Sequence, residues 1–418
     1  MTAQDSRKRV VITGMGAMSA LGVTVDEFWN GLKAGRSGIA PLTLCSTEAY
    51  PCKIGGEVKG FDPSRYMDPK EVKRLARFSQ LAVAAAVQAM ADSKIDMAKE
   101  DPDRIGVLMG CGAGGLPETE QQVRIMIAKG GMRVSPFFIP GMLVNMAAAN
   151  ISRMFGATGY TSTCITACAA GTQAIGEATE VVRRGAADIV ITGGTEAGIS
   201  EIGMGGFCTI GALTRRNDAP DRASRPFDKD RDGFAPAEGA AALIVESLDH
   251  ALARGASIHA EIAGWGVTSD AFHLVQPHSE GRGAAKAMSF AIKDAGITIE
   301  DIDYINAHGT STPINDATET LAIKKVFGER ARGIPISSTK SMIGHALGAS
   351  GALEAVACIK TIQDGIIHPT ANYETPDPAC DLDYVPNVAR KADVKVVLSN
   401  SFGFGGQNAC VVIKRFVP

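Results

Sequence analysis

The sequence predicts an α/β protein built from two similar halves, each a layered arrangement of strands and helices. Two observations lead to this prediction. Short runs of β-branched residues alternate with alanine-rich stretches along the 418-residue chain, which is typical of helices packed around a mostly parallel sheet. In addition, three local patterns recur in the same order later in the chain, which indicates an internal duplication with its join near residue 256.

The predicted elements of the first half alternate as this architecture requires. A strand over residues 9–13 ends at the Gly-x-Gly pattern 14–16, and a helix follows from about residue 25, where Thr24 and Glu27 are placed as a capping box. The remaining predictions are a helix over 69–93, a strand over 105–109, a helix over 144–155, a strand over 160–165, a helix over 169–184 and a strand over 188–192.

The second part of the chain repeats three patterns of the first. The Gly-x-Gly at 14–16 recurs at 264–266, and the strand at 189–192 that runs into small residues recurs at 396–399. The helix opening Cys168-Ala-Ala-Gly recurs as His345-Ala-Leu-Gly, after a strand over 334–338. A duplication brings these two helix starts face to face, so Cys168 and His345 can share one site. We therefore divide the chain into halves 1–256 and 257–418.

Composition and charge exclude several classes of protein. Hydrophobic residues make up 45% and charged residues 21%, which is normal for a globular protein, and a net charge of −3 offers no basic footprint for nucleic acid. Nine cysteines without a Cys-x-x-Cys pair favour a reducing compartment over a disulfide framework or a zinc site. The sequence has no apolar signal region and no apolar run of about 20 residues, so we expect a soluble, cytoplasmic protein.

Cys168 is the first candidate for a reactive residue. The segment from Thr161 to Gly171 is typical of a strand, a tight turn of small residues and a helix, which places Cys168 at the helix N-terminus. Unpaired N–H groups and the positive end of the helix dipole stabilise a thiolate there, so we expect a lowered pKa for this thiol. On this segment alone, a buried structural cysteine explains the pattern equally well. Cys164, within the strand, is expected in the core.

Two histidines and a lysine are the candidates in the second half. His308 follows an apolar run at 302–305 and precedes a glycine and two hydroxyl residues, at the sheet edge where α/β proteins bind ligands. His345 lies five residues after Lys340, near the next helix start. A turn histidine bonded to its own loop and a solvated lysine remain the alternatives.

Two loops complete the set of candidates. Residues 399–408 form a glycine-rich loop after a strand, and such a loop can point backbone N–H groups at a developing negative charge. A phosphate cradle is less favoured, since the loop lacks the Lys-Ser/Thr of a P-loop. Residues 215–234 are charged, aperiodic and contain two prolines, so we interpret them as a loop inserted over the site or against a partner.

Six segments together resemble one enzyme family. TACAAG, NAHGTSTP, STKSMIGH and NSFGFGG, in this order, with SPFFIP and RPFDKDRDGF, resemble motifs of the β-ketoacyl-acyl carrier protein synthases of the elongating type. The resemblance covers essentially the whole chain and implies a thiolase-like fold, with two duplicated halves in five αβαβα layers, and a homodimer. It also implies condensation of an acyl group with malonyl-acyl carrier protein, with release of CO2, in fatty-acid elongation. Both substrates are then carried on the 4'-phosphopantetheine of acyl carrier protein, and no redox cofactor or catalytic metal is required.

The resemblance also implies a catalytic triad of Cys168, His308 and His345. Cys168 carries the acyl group, and both histidines donate Nε2–H hydrogen bonds to the malonyl thioester oxygen. Phe404 is an aromatic gate whose backbone N–H forms an oxyanion hole with that of Cys168.

Further roles are implied around this triad. Lys340 matches a family lysine, with Glu319 as its ion-pair partner and Asp316 in support. The implied substrate-binding residues are Thr310, Thr312, Phe207, Ala113, Phe138, Ile139 and Phe402. The residues implied around a structural monovalent cation are Asn306, Glu354, Ser399 and Asn400.

Three positions depart from the family pattern. Val275 replaces a threonine that binds pantetheine, and Gly211 replaces an arginine that is offered to the carrier. Ala113 stands where relatives carry a bulkier residue in the acyl pocket, which predicts longer or wider acyl chains.

A basic strip on the predicted helix 69–93 is the candidate dock for the carrier protein. It consists of Lys70, Lys73 and Arg74. A solvated helix face explains the same residues without a partner.

Three other functions stay open at this point. The same chemistry in a type II polyketide or polyene pathway is compatible with Val275, Gly211, Ala113 and Gln407. A non-catalytic partner that binds carrier protein is disfavoured by the intact triad. An NAD-dependent dehydrogenase is disfavoured because the pattern at 14–19 lacks the third glycine of a dinucleotide fingerprint.

Overall fold

The computed structural model describes residues 7–418, whose main sheet has ten strands. They are β1 (Val10–Met18), β2 (Ile105–Gly110), β3 (Thr161–Cys164), β4 (Ile189–Glu196), β5 (Gly239–Ser247), β6 (Ala260–Ser269), β7 (Tyr304–Asn306), β8 (Ile336–Ser337), β9 (Val396–Gly403) and β10 (Gln407–Lys414). Two small sheets pair Ala40–Pro41 with Ile54–Gly55, and Ile366–Ile367 with Arg390–Lys391.

The strand order shows the duplication directly. The sheet runs β8-β7-β9-β10-β6-β1-β5-β4-β2-β3. The first half is therefore ordered β3-β2-β4-β5-β1 and the second β8-β7-β9-β10-β6, which is the same order with every number raised by five. The parallel and antiparallel pairings also correspond. β1 and β6 join the halves through a short antiparallel contact at Val11 and Ile12. The predicted duplication is confirmed.

The helices lie in three layers around these strands. They are α1 (Val25–Lys33), α2 (Pro69–Val72), α3 (Arg77–Ser93), α4 (Leu116–Lys129), α5 (Phe138–Met142), α6 (Met146–Phe155), α7 (Ala170–Arg183), α8 (Glu201–Thr209), α9 (Leu248–Ala253), α10 (Arg282–Asp294), α11 (Pro313–Phe327), α12 (Lys340–Ile343) and α13 (Ser350–Asp364). α3 and α6 pack on the outside of the first half, α10 packs on the outside of the second beside α11, and α7 and α13 pack together between the halves. These are the five αβαβα layers of a thiolase-like fold. Every helix in residues 7–418 is too short or too polar to span a lipid bilayer.

The Gly-x-Gly patterns allow helices to lie close to the sheet. A Cβ on Gly14 would lie only 2.2 Å from the carbonyl oxygen of Ala89 in α3. A Cβ on Gly266, in the second half, would lie 2.5 Å from the carbonyl oxygen of Ala287 in α10. The prediction that the first strand ends at this pattern was wrong, because β1 continues to Met18 with the glycines as packing positions inside it.

Two further predictions of local structure need correction. The sheet is mixed, because β10 follows β9 across the short turn Phe404–Gly406 and must therefore run antiparallel to it. The helix predicted over 69–93 is broken into α2 and α3. Ala76 is extended there, and the guanidinium of Arg77 turns inward to pair with buried Glu238 at 2.6 Å.

The charged loop 215–234 is irregular, as predicted, but much of it is buried. Arg231 pairs with Asp377 at 2.6 Å and with Asp316, at the start of α11, at 3.6 Å. Asp316 also accepts a hydrogen bond from the backbone N–H of Phe227 at 2.8 Å. The loop is thus fastened to the second half, and its end reaches the cavity described below.

Candidate active site

Cys168 lies in a tight turn between β3 and α7. Ala167, immediately before it, has φ +49°, a left-handed conformation that is strained for a residue with a Cβ. A single 3₁₀ turn, Ala167–Ala169, then leads into α7. The cysteine side chain is buried and lines a cavity. This is the strand, turn and helix arrangement that the sequence predicts.

Burial dominates the ionisation of the Cys168 thiol. It raises the pKa to about 12, although the positive charge of Lys340 lowers it, as do the backbone N–H groups of Phe404 and Cys168 itself. The buried carboxyl of Glu196 raises it further. The expectation of a lowered pKa was wrong, because the Cys168 side chain is buried and the desolvation of a thiolate outweighs the nearby positive groups.

The glycine-rich turn brings a second backbone N–H to the sulfur. The backbone N–H groups of Phe404 and Cys168 both lower the pKa of the Cys168 thiol. A Cβ on Gly403 would lie 2.8 Å from the Thr166 carbonyl oxygen and 3.1 Å from the Cys168 nitrogen, so only glycine lets the two turns approach this closely. The pair has the composition of an oxyanion hole.

His308 and His345 lie side by side in the same cavity. Their ring centroids are 5.4 Å apart with the planes nearly perpendicular at 84°. Phe402 packs on His308 at 5.6 Å and Phe234 packs on His345 at 5.1 Å. Burial lowers the pKa of both rings well below its usual value, and the charge of Lys340 lowers it further. Each ring is therefore neutral at neutral pH and carries a single N–H.

Lys340 pairs with Glu354 and not with Glu319. Its ammonium group donates to Glu354 Oε1, and both side chains are almost fully buried. The predicted ion pair with Glu319 was wrong, because α13 folds back and places Glu354, in its second turn, beside the start of α12.

Glu319 instead holds the loop that carries His308. Its carboxylate oxygens accept hydrogen bonds from the backbone N–H groups of His308 and Gly309, each at 2.8 Å, and from the side chain of Asn400 at 3.2 Å. Burial raises the pKa of Glu319 to about 7 against the effect of these bonds. Glu319 is therefore a positioning residue for the histidine.

The cavity has a volume of about 360 Å³ and collects most of the predicted residues. Besides the cysteine and both histidines, its walls include Phe207, Thr310, Thr312, Phe402 and Phe404. The end of the charged loop contributes Asp232, Gly233 and Phe234. Three predicted substrate-binding residues lie outside it: Ala113 and Ile139 are exposed and Phe138 is half-buried on the surface of this chain.

Comparison with known proteins identifies this arrangement. Residues 7–251 match the family model described as beta-ketoacyl synthase, N-terminal domain, and residues 259–374 match the model of the C-terminal domain. The chain belongs to the β-ketoacyl synthase family. It is a condensing acyltransferase with the thiolase-like fold.

Individual relatives agree with this assignment. The chain is 50% identical over 414 residues to the 3-oxoacyl-[acyl-carrier-protein] synthase 2 of Synechocystis sp., covering 99% of this chain and 100% of the relative. It is similar to the solved ishigamide ketosynthase/chain length factor, with a TM-score of 0.93 and 37% identity over 98% of this chain and 100% of that one. It is also similar to a ketosynthase solved in complex with its type II PKS acyl-carrier protein and bound to the hexaketide, with a TM-score of 0.90 and 37% identity over 98% and 100% of the two chains.

The two halves of this β-ketoacyl synthase are not related as the short motifs suggested. Ala167 and Leu347 share a left-handed backbone, with φ of +49° and +45°, and each opens a 3₁₀ turn before a long helix. Cys168 therefore corresponds to Gly348 and not to His345, which lies three residues earlier. The N–H of Gly348 donates to the buried carboxylate of Glu196 at 3.1 Å. In the second half, the carboxylate of Glu196 thus binds the N–H at the start of the helix. The equivalent helix start in the first half, at Cys168, is left open for substrate.

Three buried oxygen atoms behind this site have no hydrogen-bond partner among the residues from 7 onward that the structure describes. They are Asn306 Oδ1, Glu354 Oε2 and Ser399 Oγ. Asn306 and Ser399 are register partners on adjacent strands. Oxygen atoms are the ligands that hard cations take, so these three residues fit the predicted monovalent cation. Asn400, the fourth predicted residue, already bonds Glu319 and Cys410.

The candidate dock of the synthase is exposed but does not form one strip along a helix. Lys70 lies in the first turn of α2, whereas Lys73 and Arg74 follow the end of that helix. Arg74 also pairs with Glu71 at 3.3 Å and lies over the ring of Phe137 at 5.4 Å. Part of the positive charge is therefore engaged within the chain.

Sequence reasoning missed two residues that contact His345. Phe234 packs edge-on against its ring, and the Ser350 hydroxyl lies 3.0 Å from its Nδ1. The Gly-Phe pair that ends the charged loop could have indicated that Phe234 lies in the site. Ser350 carried no signal, since a serine in the first turn of a helix is an ordinary capping residue.

Proposed function

We propose that this chain condenses an acyl group, carried on Cys168, with malonyl-acyl carrier protein to give 3-oxoacyl-acyl carrier protein and CO2. The observation that carries the proposal is the convergence of one buried thiol, two neutral imidazoles and two backbone N–H groups on a single cavity. A thiol can hold the acyl group covalently, and N–H donors can stabilise negative charge on oxygen, which are the two requirements of this reaction.

In the first half-reaction, Cys168 sulfur attacks the thioester carbonyl of the acyl carrier. The new carbon–sulfur bond forms as the bond to the pantetheine sulfur breaks, and the thiol proton ends on the departing pantetheine. The developing oxyanion accepts hydrogen bonds from the backbone N–H groups of Cys168 and Phe404. Each such donor contributes roughly 3–4 kcal/mol in other enzymes.

In the second half-reaction, malonyl carrier enters the same cavity. The bond between the carboxylate carbon and the α-carbon of the malonyl group breaks, which releases CO2. The electron pair of that bond forms an enolate of the thioester. The Nε2–H groups of His308 and His345 donate to the enolate oxygen. The enolate carbon then attacks the acyl-Cys168 thioester, a new carbon–carbon bond forms, and the Cys168 thiolate leaves and takes a proton from solvent. The two-step route predicts ping-pong kinetics.

A homodimer is supported by the outer edge of the first half. β3 is the last strand of the sheet, so one side of it lacks a strand neighbour within residues 7–418. Exposed apolar side chains on α4, on α5, in the turn between them and on the flanks of β3 include Ile127, Met132, Ile139, Tyr160 and Ile165. Such an edge is a site for pairing with a second chain. Ala113, Phe138 and Ile139 can line an acyl pocket only when such a second copy covers them.

Fatty-acid elongation is favoured over a polyketide pathway. Identity to the synthase 2 of Synechocystis sp. is 50%, against 37% to the type II polyketide ketosynthase bound to its carrier protein. That complex also supports acyl carrier protein as the partner here, with Lys70, Lys73 and Arg74 as the proposed dock. Nine free cysteines are consistent with a cytoplasmic location.

The proposal is tested by product formation. Purified protein is mixed with acyl carrier protein loaded with saturated chains of several lengths and with malonyl carrier, and the carrier-bound products are identified by mass. We expect a 3-oxoacyl chain two carbons longer from the wild type and none from Cys168→Ala. If no chain length gives an extended product, the proposal is contradicted and a non-catalytic, carrier-binding role is favoured.

A further inference from the structure

The environments of the two catalytic histidines differ at Nδ1. His345 Nδ1 lies 3.0 Å from the hydroxyl oxygen of Ser350, the first residue of α13. His308 Nδ1 is also buried but has no hydrogen-bond partner within residues 7–418. Of the two rings, therefore, only His345 has a group in the described part of the chain that can select which ring nitrogen carries the proton.

The direction of the His345 hydrogen bond follows from the surroundings of Ser350. The serine side chain is completely buried, and among residues 7–418 its hydroxyl has no other hydrogen-bond partner. If the ring donated from Nδ1–H, the hydroxyl hydrogen would be buried without an acceptor, which is unfavourable because that group has also lost its hydrogen bond to water. When the hydroxyl donates to Nδ1 instead, both groups are satisfied. The ring proton then resides on Nε2.

We propose that Ser350 is a positioning residue that fixes His345 as the Nε2–H tautomer, the hydrogen-bond donor used in the malonyl step. In the first half of the chain the corresponding position is Ala170, which has no hydroxyl. Of these two equivalent positions, only Ser350 can therefore donate such a hydrogen bond. The inference rests on the proposed role of His345 as a hydrogen-bond donor in the malonyl step.

The tautomer is measurable without any assay of activity. In protein labelled with ¹⁵N-histidine, a protonated ring nitrogen and an unprotonated one have well-separated resonances, and His345 is assigned among the seven histidines by the signal lost in His345→Asn. We expect Nε2 protonated and Nδ1 unprotonated in the wild type, and loss of this single form in Ser350→Ala. A wild-type His345 that carries its proton on Nδ1 would overturn the proposal.

The half-reactions give the second readout. In Ser350→Ala we expect condensation of the preformed acyl-enzyme with malonyl carrier to slow about tenfold, while acyl loading of Cys168 stays within about twofold. Ser350→Thr, which keeps the hydroxyl, is the matched control and should retain both the tautomer and the rate. Equal loss in both half-reactions, or no loss in either, would contradict a role in the malonyl step. If the wild type fails to condense at all while His345 still shows Nε2–H, the proposed function fails and the tautomer assignment stands.

Discussion

Lys340 and Glu354 form an ion pair with both side chains buried, directly behind the catalytic residues. The lysine charge lowers the pKa of Cys168 and of both histidines. The ammonium group of Lys340 therefore lies close enough to act on all three side chains, and Glu354 holds it there. Buried pairs of this kind seldom add net stability, but removing one member leaves the other as an unpaired buried charge.

Lys340→Met should destabilise the protein and slow the thiol chemistry. We expect a loss of about 3–5 kcal/mol in the free energy of unfolding, because Glu354 is left without its partner. We also expect alkylation of Cys168 by iodoacetamide to slow about tenfold, since the thiol pKa rises further when the positive charge is lost. The double variant Lys340→Met/Glu354→Leu should recover most of the stability but not the alkylation rate. Recovery of both would contradict the electrostatic role.

Gly403→Ala should impair acyl transfer specifically. The added methyl would lie 2.8 Å from the Thr166 carbonyl oxygen and 3.1 Å from the Cys168 nitrogen, so the two N–H donors must move apart. We expect acyl loading to fall about 100-fold, which is the usual effect of losing one oxyanion donor. Gly333→Ala, at a position where a Cβ has open space, is the matched control and should load normally. Similar loading by both variants would exclude this turn from the oxyanion hole.

The histidines should act mainly in the second half-reaction. Because both rings are neutral donors and neither is needed to form the acyl bond, His308→Ala and His345→Ala should load Cys168 within about tenfold of the wild-type rate. Condensation with malonyl carrier should fall about 10²–10³-fold in each. His259→Ala, whose ring bonds Asp92 on the surface, serves as the control. A variant that condenses normally once loaded would remove that histidine from the mechanism.

Ala113→Phe should shorten the acyl chains that the enzyme accepts. Ala113 is exposed in one chain, so the prediction also requires that a second copy encloses it. Loading rates are compared across chain lengths for the wild type, for Ala113→Phe and for Ala253→Phe, an exposed control at the end of α9. An unchanged length profile in Ala113→Phe would show that this residue does not line the pocket.

The ion cluster around His250 should make stability depend on pH. His250 bonds Glu246 at 2.7 Å and Glu100 at 3.0 Å, and these hydrogen bonds raise its pKa above the usual value. A raised histidine pKa means that the stabilisation is complete below the unfolded-state pKa of about 6.5 and is lost as pH rises through the folded-state value. Thermal midpoints measured across this range should fall toward high pH in the wild type. In His250→Gln that part of the decline should be absent; a parallel decline in both proteins would rule the histidine out.

The sequence was sufficient for features that depend on neighbouring residues. Strand, turn and helix around Cys168 follow from the run of small residues after β3, and the glycine-rich turn after β9 follows in the same way. The duplication was also visible, because equivalent elements keep their order along the chain.

Features that depend on tertiary packing were not visible. Glu354 was missed as the partner of Lys340 because only the return of α13 brings the two side chains together, whereas the pairing with Glu319 came from the family resemblance. Cys168 was matched to His345 rather than to Gly348 because the comparison used similar residue patterns, and the sequence does not show where each 3₁₀ turn begins. Ser350 gave no pattern at all, since its importance lies in one hydrogen bond within a buried site.

The most direct test of the account is to isolate the covalent intermediate and follow its discharge. The wild type is incubated with acyl carrier alone, freed of carrier, and digested so that the modified peptide is identified by mass; malonyl carrier is then added to a second portion. The account predicts an acyl group on Cys168 only, which disappears as one equivalent of 3-oxoacyl carrier and one of CO2 form. An acyl group on any other residue, or an acyl-Cys168 that malonyl carrier does not discharge, would contradict it.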